Sequence, residues 1–133
     1  MREATGQSDT VTQDIRVAVH SFYIPEQSKP TEDVYFFAYR VQISNEGTER
    51  VQLVSRYWLI SDGHGKVQEV RGPGVVGEQP VLHPGESFVY SSFCPLSTPV
   101  GSMEGSYQML GNSQREFEVA IGQFLLAMPA SVH

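Results

Sequence analysis

Only one cysteine, Cys94, occurs among the 133 residues, which excludes an intramolecular disulfide and any cysteine-rich zinc site. Basic residues are scarce too: nine Lys and Arg face fifteen Asp and Glu, for a net charge of -6. That balance repels a polyanion at long range and supplies few phosphate contacts, so nucleic-acid binding is disfavoured. No apolar run approaches the ~20 residues that a bilayer-spanning helix needs. The polar start MREATGQSDT lacks the apolar stretch of a secretory signal. A soluble cytoplasmic protein with no membrane partner is therefore expected. Four histidines, His20, His64, His83 and His133, share no H-x-H or H-x-x-x-H spacing, and the acidic residues follow no EF-hand pattern. Neither a metal site nor a cofactor is expected. Helical periodicity is missing as well, since apolar residues nowhere recur convincingly at i, i+3, i+4 and i+7.

What is present is alternation and turn residues. Twelve Gly and eight Pro break the chain into short segments. Ile15, Val17 and Val19 alternate with Arg16, Ala18 and His20, and Tyr35, Phe37, Tyr39, Val41 and Ile43 share one face of the next run. Both have the period of two of a half-buried strand. Pro25 and Pro30 mark a loop between them. NEGTE, Asn45 to Glu49, contains the Asn and Gly that reverse a backbone through positive φ, so the runs on either side read as a hairpin. DGHG, Asp62 to Gly65, predicts another reversal, and Pro84-Gly85 suits the central pair of a type II turn. FEVAIGQFLLAM is the best helix candidate, but Phe117, Val119 and Ile121 alternate strictly and Gly122 weakens a helix by about 1 kcal/mol relative to Ala. Strands at roughly ten-residue spacing predict one all-β sandwich of about 7 to 9 antiparallel strands over residues 11–133, preceded by a mobile tail over residues 1–10.

The stretch RGPGVVGEQP, Arg71 to Pro80, holds Gly72, Gly74 and Gly77 in the spacing G-x-G-x-x-G. A dinucleotide fingerprint requires a helix directly after the glycines, whose N-terminus receives the pyrophosphate. Pro80 discourages a helix here, and no acidic residue stands about 20 positions on to bind a ribose. A kinase glycine loop wants Val where Gln79 stands, and Gly65-Lys66 is followed by Val67 instead of the Ser or Thr of a Walker loop. Three readings remain: glycines that allow tight backbone angles at a sandwich end, a small anion nest beside Arg71, and an apolar tip of Val75 and Val76 offered to a partner. Cys94, before Pro95, fits a small buried side chain at a strand end better than a nucleophile. In SRYWLIS, Tyr57 and Trp58 project to opposite faces, so one is expected in the core and the other partly exposed.

Taken in order, FAYRVQISN, VQLVSRYWLI, VRGPGVVGEQPVLHPGESFVYSS, TPVGSMEGSYQM and FLLAMPASVH closely resemble the bacterial ApaG family. The resemblance runs from Val11 to His133. It implies a fibronectin type III-like or immunoglobulin-like β-sandwich with no assigned catalytic residues. It also implies bacterial relatives encoded beside a diadenosine tetraphosphate hydrolase and a ribosomal RNA methyltransferase, and an association with cobalt sensitivity and magnesium efflux. Related eukaryotic domains resemble protein-binding modules. The family's glycine pattern maps onto Gly72, Gly74, Val75, Val76 and Gly77, with Pro73 at a variable place.

The combined expectation is a non-enzymatic interaction module that presents Arg71, Gly72, Gly74, Val75, Val76 and Gly77 to an unidentified protein. Its alternative is a sensor of pyrophosphate-containing nucleotides or divalent cations through the same loop. A weak homodimer through an exposed edge strand is a further expectation.

Overall fold

The computed structural model describes residues 3–129, which form nine strands, three short 3-10 turns and no α-helix. The strands are β1 (Gly6–Thr12), β2 (Ile15–Tyr23), β3 (Tyr35–Asn45), β4 (Val51–Asp62), β5 (Val67–Pro73), β6 (Val81–Leu82), β7 (Ser87–Leu96), β8 (Val100–Leu110) and β9 (Glu116–Ala127). All neighbours are antiparallel, in one sheet ordered β1-β2-β3-β7 and a second ordered β5-β4-β8-β9, with β6 also on β4. The predicted all-β sandwich is therefore what forms. Its core follows from alternation: Ile15, Val17 and Val19 of β2, Phe37, Tyr39, Val41 and Ile43 of β3, and Phe117, Val119 and Ile121 of β9 are all buried. The strands that build this core bury one face against the opposite sheet and leave the other more exposed, as in sandwiches generally.

Two expectations fail, each through contacts with residues distant in sequence. β3 and β4 are not a hairpin, because β3 pairs with β2 and β7 while β4 pairs with β5, β6 and β8. Residues 46–50 cross from one sheet to the other. Neither Asn45 nor Gly47 has positive φ. Asn45 is buried, and its amide donates to the carbonyls of Glu49 (2.7 Å) and Leu82 (3.0 Å) while its Oδ1 accepts from the Gly47 N–H (3.0 Å). The side chain thus substitutes for strand pairing at the crossover.

Residues 6–10, read as tail, are the greater part of β1. β1 turns into β2 through Gln13 (φ 47) and Asp14 (φ 65), a reversal without glycine. Its other side meets β9, where Thr10 Oγ1 donates to Ala120 O and Thr12 Oγ1 accepts from the Ala120 N–H, both at 3.2 Å. Ser21 Oγ adds a 2.6 Å bond to Leu125 O. Thr10, one of the polar residues that made this segment look mobile, supplies the first of these bonds.

Candidate functional site

The glycine segment belongs to two different pieces of structure. Arg71, Gly72 and Pro73 end β5, and Gly72 stands opposite Arg56 of β4. A Cβ on Gly72 would lie 2.9 Å from Arg56 Nη2, so glycine leaves the space that the guanidinium occupies. Arg56 Nη1 donates to Pro73 O (2.9 Å) and Gly74 O (3.0 Å), clamping the chain as it leaves the strand. Gly74, at φ 59, donates its N–H to Val54 O (2.8 Å), and a Cβ there would be 2.2 Å from Glu78 O. No other residue type fits that place without moving the backbone.

Beyond Gly74 the chain reverses over Val75, Val76, Gly77 and Glu78. Val75 and Glu78 exchange both backbone bonds, at 2.8 and 2.9 Å, and the two central residues have φ of 43 and 80. Positive φ at both is the demand of a type I′ turn, which glycine meets freely and a β-branched valine meets only with strain. Gln79 closes the base, donating from Nε2 to Val54 O (2.9 Å) and accepting from Gln52 Nε2 at its own carbonyl (3.1 Å).

This geometry separates the residues that the sequence grouped. Val75 is fully buried and belongs to the hydrophobic core, which corrects the expectation that both valines form an exposed tip. The turn tilts one side chain inward and the next outward, so Val76 alone is exposed, at 55%. Arg71 lies on the sheet face, its guanidinium 4.3 Å above the Tyr57 ring and 3.4 Å from Glu69 Oε2. Pro73 has no N–H, Gly72 is paired in the ladder, and the N–H groups of Gly74 and Val75 are both donated internally. An anion nest needs several of these donors turned outward together. Arg56 was legible in the sequence only as a neighbour of the aromatics, because its role depends on the register that sets it opposite Gly72.

Beside the turn lies an open groove of about 710 Å³ bounded by Arg56, Tyr57, Arg71, Gly72, Gln79 and Glu118. Tyr57 is partly exposed there and donates its hydroxyl to Glu69 Oε2 at 2.7 Å, while Trp58 is buried edge-on against Tyr39 and Phe124. The predicted division of this aromatic pair is therefore seen, with Trp58 as the core member.

Burial dominates the titratable groups of the core. Tyr90 and Tyr107 bond hydroxyl to hydroxyl, and loss of hydration raises both phenols well above their usual range, Tyr107 with a further contribution from Tyr90. Burial pushes the Cys94 thiol up to about 11, which keeps it protonated at neutral pH and a poor nucleophile. His20 lies on β2 opposite Arg40, His64 lies in the β4–β5 turn, and His83 faces Glu86 with Nδ1 3.0 Å from Oε1. His133 lies outside the described residues. Among the described residues, no three of His, Cys, Asp and Glu gather into a group able to hold a metal ion, and no helix is long and apolar enough to cross a membrane.

Comparison with known proteins agrees with this fold. Residues 25–111 match the family model described as the ApaG domain. Protein ApaG of Bordetella pertussis is 53% identical over 120 residues, covering 90% of this chain and 92% of the relative. Protein ApaG of Methylobacterium radiotolerans is 58% identical over 118 residues, covering 89% and 91%. A crystal structure of a Bordetella pertussis protein, solved under the name ApaA, superposes with a TM-score of 0.87 at 52% identity, covering 92% of this chain and all of that one. Sequence and architecture together establish that the chain belongs to the ApaG family.

Proposed function

We propose that this protein is a non-enzymatic β-sandwich module that binds another protein through the turn centred on Val76 and the groove beside it. The observation that carries the reading is Val76 itself, a β-branched residue at φ 43 whose side chain is 55% exposed. Such a conformation costs on the order of 1–3 kcal/mol and persists only where the surroundings impose it. Here the Arg56 clamp, the Gln79 bonds and the buried Val75 impose it, and no core packing is gained by the exposed side chain. A rigid apolar tip loses little entropy on docking. The groove adds Tyr57 and Arg71, residue types enriched at contact surfaces.

The reading of the same segment as a pyrophosphate loop has less support, because the N–H groups of Gly72, Gly74 and Val75 are committed within the fold and Pro73 has none. The proposal includes a cytoplasmic setting, supported by a lone buried thiol that needs no oxidising compartment. A link to cobalt tolerance or magnesium efflux would then run through the bound protein.

The test is site-specific photo-crosslinking from Val76 in cells, with Val11 and Val67 as equally exposed controls at 55% each. A discrete adduct from Val76 alone, lost when Tyr57 is changed to Ala, is expected. Equal labelling from all three positions, or none from Val76, refutes the proposal.

A further inference from the structure

β1 is covered by β9, which leaves β7 as the outer strand of one sheet and β5, with the two-residue β6 also on β4, as that of the other among the described residues. β5 carries the usual protections against pairing with another chain, with Glu69 and Arg71 along it and Pro73 at its end. β7 carries none before Pro95. From Ser87 to Cys94 it has no charged residue, and it pairs with β3 from end to end without a bulge. Two of its side chains are apolar and exposed, Val89 at 45% and Phe93 at 62%.

The phase of the ladder fixes which backbone groups are free. The Asn45 N–H bonds to Glu86 O, so in the pairs that follow it is Phe88, Tyr90, Ser92 and Cys94 that turn their backbone groups toward β3. Ser87, Val89, Ser91 and Phe93 turn theirs to the open side, where no strand pairs with them among the described residues. We propose that two copies of this chain pair antiparallel through β7 about a two-fold axis at Ser91, joining their four-stranded sheets into one of eight.

This register is self-complementary. Ser91 meets Ser91 of the second copy, and Val89 meets Phe93 in both directions, an aromatic and β-branched cross-strand pair of the kind that stabilises sheets. All three are pairs in which both residues offer outward N–H and C=O groups, so each exchanges two hydrogen bonds. A shift by one residue would set outward groups against inward ones and break the ladder. Charge does not oppose the pairing: the side chain nearest the axis with a charge is Arg40, opposite Ser91 on β3. The two Arg40 strands stand three strand spacings apart, about 14 Å, beyond the Debye length at physiological salt. One strand pair makes a small interface, so the association is weak and reversible.

The pairing does not depend on the turn at Val76, and it is tested separately by sedimentation of the full chain from about 10 µM to about 1 mM. Three proteins are compared: the unaltered chain, the double variant Val89→Lys with Phe93→Lys, and the double variant Val89→Glu with Phe93→Glu. The substituted side chains are exposed, and an unchanged melting curve verifies that each variant folds. The unaltered chain is expected to dimerise, each variant to associate at least about tenfold more weakly, and an equimolar mixture of the two variants to recover a heterodimer, because Lys then faces Glu at every altered pair. Amide exchange at Val89, Ser91 and Phe93 should slow with concentration while that at Phe88, Tyr90 and Ser92 stays constant. A chain that is monomeric throughout, a dimer indifferent to both substitutions, or a mixture that stays monomeric overturns the proposal.

Discussion

The adjacent valines of the turn offer a direct measure of how the fold divides a motif. Val75 is fully buried and Val76 is 55% exposed, although the sequence treats them alike. Val75→Ala deletes two methyl groups that water does not reach, a transfer loss of about 1.6 kcal/mol at roughly 0.8 kcal/mol per carbon. A residual cavity on the order of 40 Å³ adds about 1 kcal/mol, since Arg56 and Gln79 hold the turn and limit its collapse. The sum, about 2.5 kcal/mol, corresponds to a melting temperature lower by about 10 °C for a domain of this size. Val76→Ala removes groups already in water and relieves crowding at φ 43, so its effect should stay within about 0.5 kcal/mol. Urea unfolding of the three proteins, with unchanged dependence on denaturant, reads both values. A loss below about 0.5 kcal/mol for Val75→Ala, or an equal loss for Val76→Ala, would refute the assignment of Val75 to the core.

Asn45→Ala removes three hydrogen bonds at the crossover and strands the carbonyls of Glu49 and Leu82. A loss of about 2–4 kcal/mol is expected by denaturation, and a loss under 1 kcal/mol would mean that the crossover does not rely on this amide. Cys94 gives a pH signature. Its folded-state thiol stands at about 11 against an ordinary 9.0, so it favours the fold below pH 9 and that contribution disappears as pH rises toward 11. Cys94→Ala should flatten the fall in stability across this window, and identical profiles would contradict it. Amide spectra titrated with pyrophosphate, ATP and diadenosine tetraphosphate, with and without Mg2+, should show no saturable shifts at Gly72, Gly74 or Gly77. Saturable shifts confined to those residues would restore the phosphate loop.

The sequence by itself determined the strand character of most of the chain, because alternation of apolar and polar residues gives a strand one face to bury. It determined the sharp turns where backbone angles demand particular residues, as at Pro84-Gly85, where Gly85 has φ 86 and Glu86 bonds back to His83. It also sufficed to reject a dinucleotide loop, since the helix that such a loop needs has no periodicity to build it. Which strands become neighbours was decided only by the tertiary structure. Asn45 and Gly47 look like a hairpin turn in isolation, and only the buried carbonyls of Glu49 and Leu82 recruit the Asn45 side chain to carry the chain between sheets. β1 likewise acquires its value from β9, which lies more than a hundred residues away in sequence. The glycine turn shows the same division: its tightness is local and legible, whereas the burial of Val75, the exposure of Val76 and the clamp by Arg56 arise from register across β4 and β5. Local pattern sets the angles a backbone can take, and long-range pairing decides which of its side chains face water.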